Sequence, residues 1–321
     1  MFEFIWSQLF FTPPKPTTSF AGKIVIVTGS NVGLGKEAAR HITKLGASQV
    51  ILAVRSIEKG EAAKKDIEST TNVGTDVIKV WQLDMSSYQS VIDFAARVDK
   101  ELPRLDSAIL NAGVARGVWE VFEKDEATIT VNVVSTFLLS LLLLPKLKST
   151  AQKFNTRPVL SVVASEVHAW AKFEERHGSS IFERLNDNSG KGDMADRYQV
   201  SKLLNILGVR AMTERRPVDK IPVTINTINP GLCHSELSRE SGIGLTIIKF
   251  FLARTTEVGS RTLVHAGSAG VESHGQYLSN CNVAQPSQFV LSQEGHDTQE
   301  RYWKELTAKL EAIKPGVTKN L

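Results

Sequence analysis

The run Tyr198-Gln199-Val200-Ser201-Lys202 sets a phenol and an ammonium four residues apart. On a helix those two side chains share one face, about one turn from each other. A free tyrosine titrates near ~10. A neighbouring cation favours the phenolate, so the pair predicts a tyrosine that exchanges its proton closer to neutral pH. A fall of ~3 units would correspond to ~4 kcal/mol of differential stabilisation. Tyr-x-x-x-Lys alone also fits a solvated helix face. What gives it weight is a glycine-rich turn far upstream, Thr28-Gly29-Ser30-Asn31-Val32-Gly33-Leu34-Gly35.

That turn follows an apolar run and opens a helical stretch. Glycine lets the backbone turn tightly and lets a pyrophosphate approach main-chain N–H groups. The helix N-terminus adds spare donors and a favourable dipole. Gly29, Ser30, Asn31, Gly33, Leu34 and Gly35 are therefore candidate dinucleotide contacts. The spacing is Gly-x-x-x-Gly-x-Gly, unlike the Gly-x-Gly-x-x-Gly of many dinucleotide folds. The second strand should end beside the adenosine ribose. No Asp or Glu occurs between Val50 and Ser56, and Arg55 stands there instead. A carboxylate would suit the 2′-hydroxyl of NAD, whereas an arginine fork suits a 2′-phosphate. NADP is the expected cofactor, ahead of NAD. Asp84 ends the third strand and is a candidate acceptor for the adenine amino group; as a helix N-cap it competes with Ser86 and Ser87. Asn111 and Gly113 end the fourth strand and would face the cofactor ribose.

Those motifs need a scaffold. Short β-branched or apolar runs alternate with helical segments. The predicted strands are 23–27, 49–54, 77–83, 107–110, 159–163 and 223–228. The predicted helices cover 35–45, 88–101, 127–144 and 195–213, with a charged helix between the second and third strands. Continuous apolar strands alternating with helices predict an α/β, doubly wound parallel sheet, a Rossmann-type single domain. No linker divides residues 21–321. Two segments break the rhythm, about 166–196 and 232–256. Insertions beyond strand ends are where substrate contacts sit in open α/β sheets. The second contains the apolar stretch Leu245 to Leu252, and the first carries Trp170 and Phe173. His168 and His177 read as loop residues, and no metal-ligand spacing is present.

With 42% hydrophobic and 22% charged residues, the chain can bury a sizeable core. A net charge of +4 gives no reason to expect nucleic acid. Cys233 and Cys281 form no disulfide framework, so a reducing, cytoplasmic setting is expected. Residues 1–20 are an apolar, aromatic segment followed by the linker Thr12-Pro13-Pro14-Lys15-Pro16. The apolar part reads as a terminal helix packed on the domain. The sharper alternative is contact with a membrane surface or a product channel, but it is too short to span a bilayer. The Leu-rich run 137–144, ending at Pro145, reads as a buried helix.

Jointly the motifs Thr28-Gly-x-x-x-Gly-x-Gly35, Asn111-Ala112-Gly113, Tyr198-x-x-x-Lys202 and Asn229-Pro230-Gly231 resemble the short-chain dehydrogenase/reductase family, over roughly 23–231. The gap before the tyrosine and the Ala53-Val54-Arg55 strand end look like its retinol-dehydrogenase-like branch and like fungal tailoring reductases of secondary metabolism. The resemblance implies Tyr198 as acid/base and Lys202 as its partner and ribose ligand. It implies Ser165 as the serine that polarises the substrate and Asn132 as the helix asparagine that helps hold a water beside the lysine. The family often has two serines at that strand end; here Ala164 precedes Ser165, with mid-strand Ser161 as fallback. After Pro230-Gly231, Ser235 is the nearest hydroxyl for a carboxamide contact. The family often dimerises through the two long helices, although longer-insert members are monomers, so monomer or homodimer is open.

The implied chemistry interconverts a carbonyl and an alcohol, with hydride exchanged between carbon and a nicotinamide. The apolar insert and Trp170 point to a small lipophilic substrate. Two alternatives remain: an NAD-dependent alcohol dehydrogenase of the same fold, and a non-catalytic dinucleotide sensor.

Overall fold

The computed structural model describes residues 2–189, 194–234 and 253–321. Ser235 and the apolar stretch 245–252 lie outside the described residues. A short helix α1 (Phe2–Phe10) precedes the sheet. Then strands and helices alternate: β1 (Ile24–Thr28), α2 (Gly33–Lys44), β2 (Gln49–Val54), α3 (Ile57–Thr71), β3 (Ile78–Gln82), α4 (Tyr88–Glu101) and β4 (Ser107–Leu110). A small hairpin, β5 (Val121–Phe122) with β6 (Asp125–Glu126), leads into α5 (Ala127–Ile129), a π-helical turn (Thr130–Val134) and α6 (Ser135–Phe154). The second half holds β7 (Val159–Val163), α7 (Ile181–Leu185), α8 (Met194–Arg215), β8 (Thr224–Asn229) and α9 (Thr256–Ala266). It closes with β9 (Tyr277–Ser279), β10 (Asn282–Ala284), α10 (Gln288–Leu291) and α11 (Gln293–Ile313).

The main sheet runs β10-β9-β8-β7-β4-β1-β2-β3. Every pairing is parallel except the edge pair β9–β10. Those two edge strands are joined by Asn280 and Cys281, both left-handed, as a two-residue hairpin of the right twist requires. The order reverses between β1 and β4, which opens the crevice where ligands bind in such sheets. β1, β4, β7 and β8 are buried throughout, because helices cover both faces. Two apolar clusters flank the sheet. One is built around α4, α6, α8 and α11, the other around α2, α3 and α9.

The helix from Ala127 does not stop at Pro145, where the sequence suggested it would; it runs through that proline to Phe154. Proline removes the bond to the carbonyl four residues back. Tertiary anchors hold the continuation instead. Lys146 Nζ donates to Asp99 O (2.7 Å) and Leu102 O (3.0 Å), and Lys148 Nζ donates to Asn320 O (2.7 Å). Residues 127–154 are long and apolar enough to cross a membrane by composition, yet 94% of the most apolar window is buried within the protein. That burial is the pattern of a core helix.

Candidate active site

The phosphate turn is closed by its own residues. Gly29 and Gly33 have φ of +64° and +63°, in the left-handed region that glycine enters without strain. A Cβ on Gly35 would lie 2.6 Å from both Asn111 Nδ2 and Gly29 O, so that position must be glycine for the turn to close. Ser30, expected among the cofactor contacts, is fully buried, and its hydroxyl donates to Val27 O (2.7 Å). Asn111, expected at the ribose, spends its amide on Thr28 O (2.9 Å) and Gly29 O (3.2 Å). Both side chains thus shape the turn. Asn31 and Leu34 are half-buried at its rim. Helix α2 starts with Val32 at its N-cap, with no capping side chain and no acidic residue in its first turn. Its leading N–H groups are therefore available to an anion.

At the end of β2, Arg55 is exposed and makes no ion pair among the described residues. Ser56 caps α3. At the end of β3, one oxygen of Asp84 accepts from the Ser86 amide (2.9 Å) and hydroxyl (2.7 Å), while Ser87 caps α4.

The second half of the site gathers where β4, β7 and α8 meet. Lys202 is 4% exposed, and its Nζ donates to Val163 O at the end of β7 (2.7 Å). The same Nζ lies 5.7 Å from the centre of the Tyr198 ring. Tyr198 is half-buried, with the Ser165 side chain near enough to act on its phenol. A Cβ on Gly113 would come within 3.2 Å of Asn132 Oδ1 and 3.7 Å of Lys202 Nζ, so the strand end approaches the lysine closely. Asn132 sits in the π-helical turn, a feature common at functional sites. Its amide donates to Val114 O (2.8 Å) and Ser201 Oγ (3.0 Å), and its oxygen accepts from Val114 N (2.9 Å). Both amide N–H groups are engaged, and the oxygen keeps one further acceptor site. Ser161, the fallback, is buried and donates to Asn226 Oδ1 (2.7 Å), a contact internal to the sheet.

The electrostatics differ from the expectation for the tyrosine. Burial pushes the Tyr198 pKa above its ordinary 10; the Ser165 hydroxyl opposes this and the nearby Cys233 adds to it. Burial pulls Lys202 down to about 8. The ammonium is directed to a main-chain carbonyl, so desolvation outweighs any stabilisation of the phenolate. At neutral pH the phenol keeps its proton and the lysine stays mostly charged.

Several contributors were not visible in the sequence. His168 is 3% exposed, with Nδ1 2.7 Å from Ser165 O and Nε2 accepting from Ser287 N (2.9 Å). Asn229 Oδ1 accepts from Glu166 N (3.0 Å) and Gly231 N (2.9 Å), joining the Ser165 turn to the turn after β8. Asp196 Oδ2 accepts from the amides of Lys172 (2.9 Å) and Phe173 (3.1 Å), which ties the first insert to α8 just before Tyr198. Arg197 is fully buried between Glu175 (3.1 Å) and Glu126 (3.8 Å). Ser287, Glu175, Glu126 and the Lys172–Phe173 amides are distant along the chain from the residues they hold, so no local pattern marks those contacts, although Asn229 itself belongs to the Asn-Pro-Gly motif. Glu214, His296 and Glu300 cluster on the surface, but Arg210 pairs with Glu214 and Arg215 with Glu300, which reads as a surface ion network.

A nicotinamide dinucleotide fits these residues. The α2 amides face an open turn, since a Cβ on Gly33 would meet nothing within 4 Å. Buried Lys202 has one protein acceptor for three N–H groups among the described residues.

Comparison with known proteins agrees with that geometry. The family model for short chain dehydrogenase matches residues 23–163. The chain is 57% identical to the short chain dehydrogenase/reductase dmxR8 of Cryptosporiopsis sp. (strain 8999), covering 99% of each. It is 42% identical to the short-chain dehydrogenase anuD of Penicillium roqueforti (strain FM164), covering 98% of this chain and 84% of that one. Among solved structures, an uncharacterised protein of Mycobacterium paratuberculosis aligns with a TM-score of 0.69 at 24% identity, over 96% of this chain and 97% of that one. The RhlG/NADP active-site complex of Pseudomonas aeruginosa aligns with a TM-score of 0.61 at 22% identity, over 83% of this chain and 97% of that one. Over its whole length, then, the chain belongs to the short-chain dehydrogenase/reductase family, oxidoreductases that bind a nicotinamide dinucleotide.

Proposed function

We propose that the chain interconverts a carbonyl and an alcohol on a lipophilic small molecule of secondary metabolism, using NADP(H). The observation that carries the reading is the placing of Tyr198 and buried Lys202 on one face of α8, with Lys202 Nζ 5.7 Å from the centre of the phenol ring and bonded to the end of β7, just before Ser165. When bound, the dinucleotide supplies or accepts the hydride. Every other task falls to the chain. The α2 amides and the glycine turn would hold the pyrophosphate. Arg55 would hold the 2′-phosphate, Asp84 the adenine amino group and Lys202 the nicotinamide ribose. The structural neighbour from P. aeruginosa carries NADP, which supports the same preference here.

In reduction, Ser165 orients the substrate oxygen and Tyr198 Oη gives it a proton. A phenol held neutral by burial suits that donor role. Lys202, still cationic below about 8, limits the cost of the phenolate left behind. In oxidation the deprotonated form, the phenolate, takes the proton of the alcohol as the hydride leaves its carbon for the dinucleotide. Trp170, 42% exposed in the first insert, and the apolar sequence 245–252 support a lipophilic substrate.

The test is NADPH oxidation against a panel of polycyclic, terpenoid and sugar ketones. Turnover is expected with the lipophilic members, and turnover confined to sugars contradicts the substrate class. In the same assay Arg55→Ala should raise the KM for NADPH about tenfold and leave NADH unchanged, from loss of a charge-assisted contact. An unaltered coenzyme preference removes Arg55 from the phosphate site.

A further inference from the structure

Helix α1 is joined to the turn after β8 by buried polar groups. Arg254 is 7% exposed. Its guanidinium donates to Ser7 O (3.0 Å), Ser7 Oγ (3.3 Å), Phe11 O (3.2 Å), Asn280 Oδ1 (2.8 Å) and Pro230 O (3.4 Å). Its backbone pairs with the same turn, through Leu232 O (2.8 Å) and His234 N (3.0 Å). From the helix side, Gln8 is 8% exposed and donates to Leu232 O (3.3 Å). Asn280, at the tip of the β9–β10 hairpin, donates to Ser7 Oγ (2.8 Å). Gly231 is pressed against this assembly. Its φ is +77°, and a Cβ there would lie 2.8 Å from both Arg254 Nη1 and Gln8 Oε1. A buried guanidinium held by neutral oxygens costs more than one left in water, so its retention calls for a function.

That function follows from position. The Pro230–Gly231 turn ends β8, next to β7, whose end carries Ser165. Arg55 and Asp84 stand at the ends of β2 and β3, on the opposite side of the crevice. A dinucleotide with its adenosine there extends its other end toward β7 and β8. Cys233, two residues past Gly231, and Leu34 of the phosphate turn both lie within 3 Å of where a Cβ on Gly259 would stand, so this turn lies beside the dinucleotide site. Asn229 links it onward to Glu166 and the Ser165 turn.

We propose that α1 is part of the active-site wall, with Gln8 and Arg254 as positioning residues that fix the Pro230–Gly231 turn against the nicotinamide end of the dinucleotide. This rests on the dinucleotide reading above. The N-terminal segment then serves the cofactor site directly, apart from any contact its exposed Trp6, Leu9 and Phe10 make elsewhere.

The experiment measures affinity of the full-length protein for NADPH and for 2′-phospho-ADP-ribose, which lacks the nicotinamide. Wild type, Gln8→Ala, Ser7→Ala and Arg254→Lys are compared by calorimetry. Gln8→Ala and Arg254→Lys should weaken NADPH about five- to tenfold and leave 2′-phospho-ADP-ribose within about twofold, since only one end of the ligand meets this turn. Should Arg254→Lys fail to fold, Gln8→Ala, which removes the bond to Leu232 O, and Ser7→Ala, which removes those from Arg254 and Asn280, carry the same comparison. Unchanged NADPH affinity in the folded variants overturns the proposal. So does an equal loss for both ligands, which marks a general structural role. Wild type that binds neither ligand sinks the dinucleotide reading itself, an outcome distinct from either of those.

Discussion

His168 shows how a single side chain outside the recognisable motifs can stabilise the site. Its Nδ1–H meets Ser165 O and its Nε2 accepts from Ser287, so the neutral ring fastens the serine turn to the C-terminal region. Burial pulls its pKa from 6.5 to about 4. The unfolded chain therefore binds a proton that the folded chain refuses between those values. The stability this group contributes is present above 6.5 and is lost as pH falls toward 4. The shift corresponds to roughly 3 kcal/mol. Urea melts from pH 7 to pH 4 should show that loss in wild type and a smaller one in His168→Asn. Parallel pH slopes for the two proteins would remove His168 from this role. The pairing of Tyr198 with Lys202 is legible in local spacing, whereas Ser165 enters only through the family resemblance. His168 is not legible, because its partner Ser287 is remote in sequence and nothing nearby signals the contact. The raised acidity expected for Tyr198 was not met, because spacing along a helix says nothing about desolvation.

Among the elements, the strands were the most legible. β2, β4, β7 and helix α4 begin and end where their apolar runs and caps begin and end. Pro145 predicts a helix end that the structure does not show, because the lysine anchors that sustain the helix lie in tertiary contacts. The π-helical turn around Asn132 had no sequence signal at all. The glycine turn is the element most sensitive to a single atom. Gly35→Ala puts a methyl against the Gly29 carbonyl and the Asn111 amide, two groups that also hold each other. The expected cost is about 1–3 kcal/mol of stability, as for an overpacked core, together with weakened dinucleotide binding. A melting curve and a titration with NADPH check both. A variant with wild-type stability would show that the turn relaxes more easily than the contacts imply.

At the scale of the whole molecule, the doubly wound sheet followed from alternation of element types, whereas the C-terminal cover did not. Helix α11 packs on α8, with Trp303 edge-on to Phe137 of α6 at 6.3 Å. Residues 317–320 pack on α6, and Lys148 Nζ binds the carbonyl of Asn320. The two long helices expected at a dimer interface are thus covered by the chain's own C-terminus. A monomer is the expected state, and light scattering coupled to size exclusion would read a mass near the 35.3 kDa of one chain. A stable dimer would mean that another face mediates assembly.

Removing the Tyr198 hydroxyl while keeping its ring gives the sharpest test of the proposed chemistry. With the ketone turned over fastest by wild type, single-turnover reduction by NADPH should slow about 10²–10⁴-fold in Tyr198→Phe, the usual contribution of a positioned acid, while NADPH affinity stays within about twofold. A phenylalanine variant that reduces the ketone at close to the wild-type rate would contradict the assignment of Tyr198 as proton donor.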